Sequence, residues 1–177
     1  MMCPCWWCGE LSSIIFSRVA SLMMQRHRIH LKGPWECEWL EPIDRSNDHL
    51  RSPDRHRPGT AATPVSLRVK MPVDWRKVFG CVAGRIRFRR RFGRPTNLGP
   101  DERLFVVFDG IGGMGNVWLG RRKLGQVDSH QTTARFELTG LLETRNELVV
   151  ELRFDPEQSP GQPGGLWGPV AIEIQQQ

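Results

Sequence analysis

Residues 104–138 read LFVVFDGIGGMGNVWLGRRKLGQVDSHQTTARFEL. The first five are apolar throughout, the pattern of a strand buried on both faces. NVWLG (116–120) and RKLGQV (122–127) are short strand-like runs that meet at Gly120-Arg121. Two such runs joined by a two-residue turn predict a β-hairpin, and glycine at the first turn position suits type II′. ARFEL (134–138) adds a further strand. Val107, Val117, Leu119, Leu124, Phe136 and Leu138 are the expected inward residues. The intervening IGGMGN (111–116) reads as a glycine loop but not as a phosphate cradle, because the GxGxxG order is missing and no amphipathic helix follows.

Upstream, HRIHL (27–31) and WECEWL (35–40) alternate and are separated by Gly33-Pro34. Ile29 and Leu31 share one face; Trp35, Cys37 and Trp39 share one face of the next strand. VSLRVKM (65–71) predicts a strand with Val65, Leu67 and Val69 inward, ended by Pro72. DWRKVFG (74–80) then offers Asp74 as an N-cap, a single helical turn and Gly80 to close it. In GRIRFRRRFGRP (84–95), Ile86, Phe88 and Phe92 fall on one face and Arg85, Arg87, Arg89 and Arg91 on the other. Arg90 lands on the apolar side. A buried guanidinium there needs a carboxylate or several carbonyls, with Asp109 or Glu137 as candidates. Downstream, ELVVELRF (147–154) places Leu148, Val150, Leu152 and Phe154 on one face. DPEQSPGQPGG (155–165) reads as a flexible loop, LWGPVAIEI (166–174) as the last strand, and the glutamines after it as a solvated tail. Nine or ten short strands with almost no helix predict an all-β fold, an antiparallel β-sandwich or jelly roll.

The chain has 177 residues, enough for one domain with one ordinary core. Its formal charge of +6 is moderately basic and is explained by solubility before any polyanion. Arg87, Arg89 and Arg91 are the candidate polyanion-binding residues; the favoured reading is a solvated strand face that blunts sheet-edge association. Nucleic acid is not the expected partner, since no RNP-type aromatic pattern, helix-turn-helix or zinc-finger spacing supports it. The five cysteines (Cys3, Cys5, Cys8, Cys37 and Cys81) are odd in number and suit a reduced compartment better than a disulfide scaffold. Cys3, Cys5 and Cys8 could offer thiolates, but a closed zinc site needs four ligands and no other Cys or His lies near. No metal and no cofactor are therefore expected, and His49 and His56 read as solvated.

Residues 1–24 are unlike the rest and form a leader, expected to be disordered or foreign to the natural product. Glu10 and Arg18 break the pattern of a signal peptide, which favours the cytoplasm. No apolar run reaches the roughly 18 residues of a membrane span, so no membrane partner is expected. Residues 25–177 form the sandwich domain. Within it, 41–63 is polar, charged and proline-bearing, and is expected to be a mobile loop.

Several pieces, taken in order, resemble the N-terminal sugar-binding domain of glycoside hydrolase family 2, the β-galactosidase and β-glucuronidase family. They are LKGPW (31–35), MPVDW (71–75), RFRRRF (87–92), FDGI (108–111), VWLGRRKLG (117–125), FELTGLL (136–142) and GGLWGPV (164–170). Together they span about Arg28 to Ile174. The resemblance implies a galactose-binding-like jelly roll and, as partner, a glycan or a glycoside hydrolase protein. Two departures stand out. Gly120 and Arg121 replace the family's Asn-Gly turn, and 128–133 (DSHQTT) replaces its H-E-G-G-Y loop, which in the family lies towards the active site.

Family enzymes carry their catalytic glutamates on a separate (β/α)8 barrel of about 250 residues. Retaining hydrolysis needs two carboxyl groups roughly 5–5.5 Å apart. The sandwich uses up the present sequence. Glu143, Glu147 and Glu151 fall in or beside an ordinary strand, where alternation accounts for them. No catalytic residue is assigned, and a non-catalytic module is expected, either carbohydrate-binding or retained as a structural, interaction or accessory domain. For a sugar the candidates are Trp167 as an aromatic platform, with Asp128 and His130 as polar neighbours; the alternative for Trp167 is packing beneath the sandwich.

Overall fold

Alternation becomes two antiparallel sheets. The computed structural model describes residues 26–42, 66–128 and 130–176; the leader at 1–24 and positions 43–63 of the expected mobile loop, with His49 and His56, lie outside the described residues. The strands are β1 (Arg26–His30), β2 (Trp35–Pro42), β3 (Ser66–Val69), β4 (Gly84–Gly93), β5 (Glu102–Phe108), β6 (Met114–Leu119), β7 (Arg122–Val127), β8 (Ala134–Glu137), β9 (Arg145–Phe154) and β10 (Val170–Gln176), with one helical turn α1 (Trp75–Phe79). A four-stranded sheet runs β1-β10-β5-β8 and a six-stranded sheet β3-β2-β4-β9-β6-β7. The fold is an all-β sandwich, as the pattern predicts.

The core lies between the sheets. Ile86 and Phe88 of β4 and Leu148, Val150, Leu152 and Phe154 of β9 meet Leu104, Val106 and Phe108 of β5 and Val170, Ile172 and Ile174 of β10. Each such side chain fully removed from water contributes about 1.5–3 kcal/mol. β5 is covered on both faces, which explains its unbroken apolar run. Val107 is buried, but with Phe105 it faces away from the core, where the Arg135 guanidinium lies 3.6 Å from the Phe105 ring centroid.

α1 forms where the caps predicted it. The Asp74 carboxylate accepts from the Arg76 N–H at 2.8 Å, and Gly80 ends the turn at a φ of 67°. Trp75, on its inner side, joins Trp39, Phe79 and Phe154 in an aromatic cluster. The β6–β7 hairpin turns at Gly120-Arg121, with positive φ at Gly120 and none at Arg121, as type II′ requires.

Several details differ from the sequence reading. β2 runs on through Glu41 and Pro42, where the loop was expected to begin. Leu67 was expected inward but stands 37% exposed, and Ile29, which shares a face with the buried Leu31, is 38% exposed, because β1 and β3 are edge strands with a neighbour on one side only. Met114, Gly115 and Asn116 belong to β6 rather than to a loop. Gln175 is buried in β10 and donates to the Glu173 carboxylate at 2.7 Å, so the tail is part of the sheet up to Gln176.

Two glycine contacts fix how the connections pack. At Gly115 a Cβ would lie 1.7 Å from the Glu151 carbonyl oxygen, so β6 can approach β9 there only without a side chain. The β5–β6 and β9–β10 connections are laced together by Gly168 N–H to Gly110 O (3.0 Å) and by reciprocal bonds between Gly112 and Gly165 (2.9 and 3.0 Å). The Gly110 and Gly168 backbones come so close that a Cβ on either would sit about 2.4 Å from the other.

Candidate functional site

The laced connections and the β7–β8 loop (128–133) meet at the end of the sandwich where β6 begins. They enclose a hollow of about 730 Å³ whose walls include Met114, His130, Arg153 and Trp167. Beside it, on the outer face of the six-stranded sheet, is a second hollow of about 620 Å³ that Arg85, Asn116, Asp128 and Glu151 help to line. Met114, Gln131 and Arg153 border both. Strand pairing creates this border: β6 and β9 set Met114 directly opposite Arg153.

The structure thus places Trp167 and His130 on one hollow and Asp128 on its neighbour. Trp167 is half-buried and His130 exposed. Asp128 shapes the loop: its carboxylate accepts from the His130 N–H at 3.1 Å, and its own N–H donates to the Gln131 side-chain carbonyl at 3.1 Å. The Trp167 indole N–H and the Asn116 side-chain oxygen are both buried and have no hydrogen-bond partner among the described residues. A buried polar atom left unsatisfied is uncommon and calls for an explanation. Arg153 is exposed and makes no ion pair among the described residues. Sequence reading missed Met114, Asn116 and Arg153. Nothing in their own neighbourhoods marks them, since their proximity depends on which strands pair.

The candidate polyanion residues lie on the outer face of β4. Arg87 bonds Glu151 at 2.7 Å and Glu38 at 3.3 Å, Arg89 bonds Glu38 at 2.7 Å, and Arg91 bonds Glu147 at 3.2 Å. The row is a cross-strand ladder of charge pairs in the middle of its sheet, not an edge facing water alone. Arg90 finds neither expected carboxylate: Asp109 holds Arg28 at 2.8 Å and Glu137 holds Arg103 at 2.7 Å. Its terminal nitrogen donates instead to the Pro34 carbonyl at 2.9 Å.

Burial pushes the Glu151 carboxyl upward, but bonds from Arg85 and Arg87 outweigh it and hold the group below its ordinary value of 4.5. Glu173 behaves alike, with burial opposed by Arg28. A carboxylate depressed in the folded state stabilises the protein above its unfolded pKa, and that contribution is lost as pH falls through the folded value. Thermal denaturation should therefore show the midpoint falling as pH drops below about 4.5, with a shallower fall in Glu151→Gln.

The rim formed by 155–163 is held by Arg76 of α1. Its guanidinium donates to the carbonyls of Gln162 (2.6 Å), Pro156 (3.0 Å) and Ser159 (3.1 Å). Charge-assisted bonds of this kind contribute about 1.5–3 kcal/mol when sheltered and less when exposed. Arg76→Ala should raise amide exchange through 156–162 by about tenfold or more while the β4 and β9 amides keep their protection. Equal exchange in the variant would show that the loop holds itself.

Among the described residues no group of three or more His, Cys, Asp or Glu side chains could hold a metal ion. Cys37 and Cys81 are free; burial raises the Cys37 thiol to about 12.

No family model and no curated protein matches the sequence. Solved structures match in fold. The FMN-binding β-glucuronidase from Facaelibacterium prausnitzii L2-6 is 17% identical with a TM-score of 0.60, the match covering 85% of this chain and 23% of that one. The Bifidobacterium dentium β-glucuronidase complexed with coumarin-3-O-glucuronide is 15% identical at 0.59, covering 88% and 31%. The Eisenbergiella tayi GH2 β-galacturonidase bound to galacturonate is 15% identical at 0.57, covering 84% and 24%. The chain therefore spans between 23% and 31% of these proteins. The jelly-roll likeness to a domain of glycoside hydrolase family 2 enzymes, expected from the sequence motifs, is present in the fold.

Proposed function

We propose that this sandwich, whose fold recurs as one portion of glycoside hydrolase family 2 enzymes, serves as a non-catalytic carbohydrate-binding module. One observation carries the reading: Trp167 and His130 border a single open hollow together with Met114 and the unpaired Arg153. An indole and a thioether beside polar donors suit a sugar, which has an apolar ring face and hydroxyls around its rim. The partnerless Trp167 N–H and Asn116 oxygen would each gain a bond from a hydroxyl after a small rearrangement.

Support for a non-catalytic role comes from the glutamates. General-acid chemistry at neutral pH wants a carboxyl with a raised pKa. Glu151 is held low by two arginines, and Glu147 is engaged by Arg91. Glu151, the glutamate that lines the second hollow, is used as an ion-pair partner.

Calorimetric titration against a panel of neutral and acidic oligosaccharides is the test. At least one should bind, and Trp167→Ala should weaken it about tenfold or more, since a stacking aromatic contributes roughly 1–3 kcal/mol. Binding by Trp167→Ala at wild-type affinity overturns the site. Failure of every glycan overturns the function in favour of a structural, protein-interaction or accessory role.

A further inference from the structure

We propose a second, separate site at the other end of β6, built by Arg121, Arg122 and Arg145 and suited to an acidic glycan. Here the β6–β7 turn and the β8–β9 connection face each other across a hollow of about 520 Å³. Gly120 seats the first turn, its N–H donating to the Glu147 carbonyl at 2.7 Å. The second turn is closed by the Leu141 N–H bonding the Leu138 carbonyl at 2.9 Å. Arg121 and Arg122 enter from one side and Arg145 from the other, and all three are exposed. Arg94 stands beside them, its backbone N–H bonded to the Thr144 carbonyl at 3.4 Å.

What sets these arginines apart is that three uncommitted guanidinium groups line one hollow, whereas the unpaired Arg153 borders its hollow without a second free arginine. Arg28, Arg85, Arg87, Arg89, Arg91, Arg103 and Arg135 all meet a carboxylate. The side chains of Arg121, Arg122 and Arg145 make no ion pair or hydrogen bond among the described residues. Three free cations therefore meet at this hollow, while those of the β4 row are paired. The six residues of β6 span about 17 Å, so one monosaccharide cannot touch this hollow and the Trp167 hollow together.

The lining selects the ligand class. Guanidinium forks match the planar or trigonal oxyanions of carboxylates and sulfates. Glu143 and Glu147 share the wall. They can accept bonds from hydroxyls but repel a closely spaced phosphate chain. The lining includes no aromatic ring on which bases could stack. A polymer that carries both acidic groups and free hydroxyls meets all three conditions.

The test is titration of the full chain with polygalacturonate, dextran sulfate, neutral dextran and a short single-stranded oligonucleotide. At least one of the two acidic glycans should bind and release with rising salt, and any binding of dextran should be insensitive to salt. Polygalacturonate alone would assign carboxylate recognition, dextran sulfate alone sulfate recognition. Arg121→Ser/Arg122→Ser/Arg145→Ser should bind about tenfold more weakly, at roughly half a kcal/mol for each exposed arginine. Arg145→Ser alone should show part of the loss, so the result survives if the triple variant fails to fold. Arg103→Ser, at an arginine paired with Glu137 and outside this hollow, should bind these probes as the wild type does, which separates a built site from net charge alone. No binding by either acidic glycan, undiminished binding by the folded triple variant (or by Arg145→Ser if it misfolds), or tighter binding of the oligonucleotide would overturn the proposal.

Discussion

Trp75→Ala should lower the unfolding free energy by about 3–5 kcal/mol, the range for truncating a large buried aromatic. Trp75 is 1% exposed, and its ring centroid lies 5.2 Å from Phe79, 5.5 Å from Phe154 and 6.1 Å from Trp39. Its indole N–H donates to the Val82 carbonyl at 3.0 Å, and its backbone N–H to the Gly164 carbonyl at 2.9 Å. Truncation therefore leaves a cavity and an unpaired carbonyl at the point where α1 meets the laced connections. A domain of this size has about 5–15 kcal/mol to lose, so urea unfolding should show a much lower midpoint with little change in slope. A loss below about 1 kcal/mol would mean that the surrounding rings close the gap.

Gly115→Ala should destabilise by about 3 kcal/mol or more, although it adds a single methyl group. The new carbon would meet the Glu151 carbonyl oxygen, which belongs to the backbone of β9 and cannot swing aside. β9 is paired on its other side to β4 over ten residue pairs, so any displacement strains both ladders. Gly120→Ala is the matched control. A Cβ there meets nothing within 4 Å, and only the positive φ of 57° opposes it, at about 1–2 kcal/mol. If thermal unfolding shows the two variants equally impaired, close strand approach is not what requires glycine at 115.

The strands themselves were readable because each announces its own burial. β4 and β9 alternate, β5 does not, and Asp74 with Gly80 bracket one helical turn. Edge strands defeat this reading, because alternation looks the same whether a strand has one neighbour or two; Ile29 and Leu67 are the examples. Pairing between distant segments is also silent in the sequence. Arg87 meets carboxylates 49 and 64 residues away, which turned an apparently free basic row into a ladder of pairs. The hollow that Trp167 shares with His130 depends likewise on glycine contacts between 110–112 and 165–168. Loop composition could suggest the residues, but not that they would stand on one wall.

Where the Gly110 and Gly168 backbones touch, no side chain fits on either strand of the seam. The neighbouring segment 155–163, between Phe154 and the first seam glycines, has no such restriction where it is tethered, because Arg76 grips it through carbonyls. Carbonyl oxygens are the same whatever residue bears them. The wall of the Trp167 hollow can thus be rewritten, or lengthened, without disturbing its floor, so that one rigid frame could present different rims to different ligands.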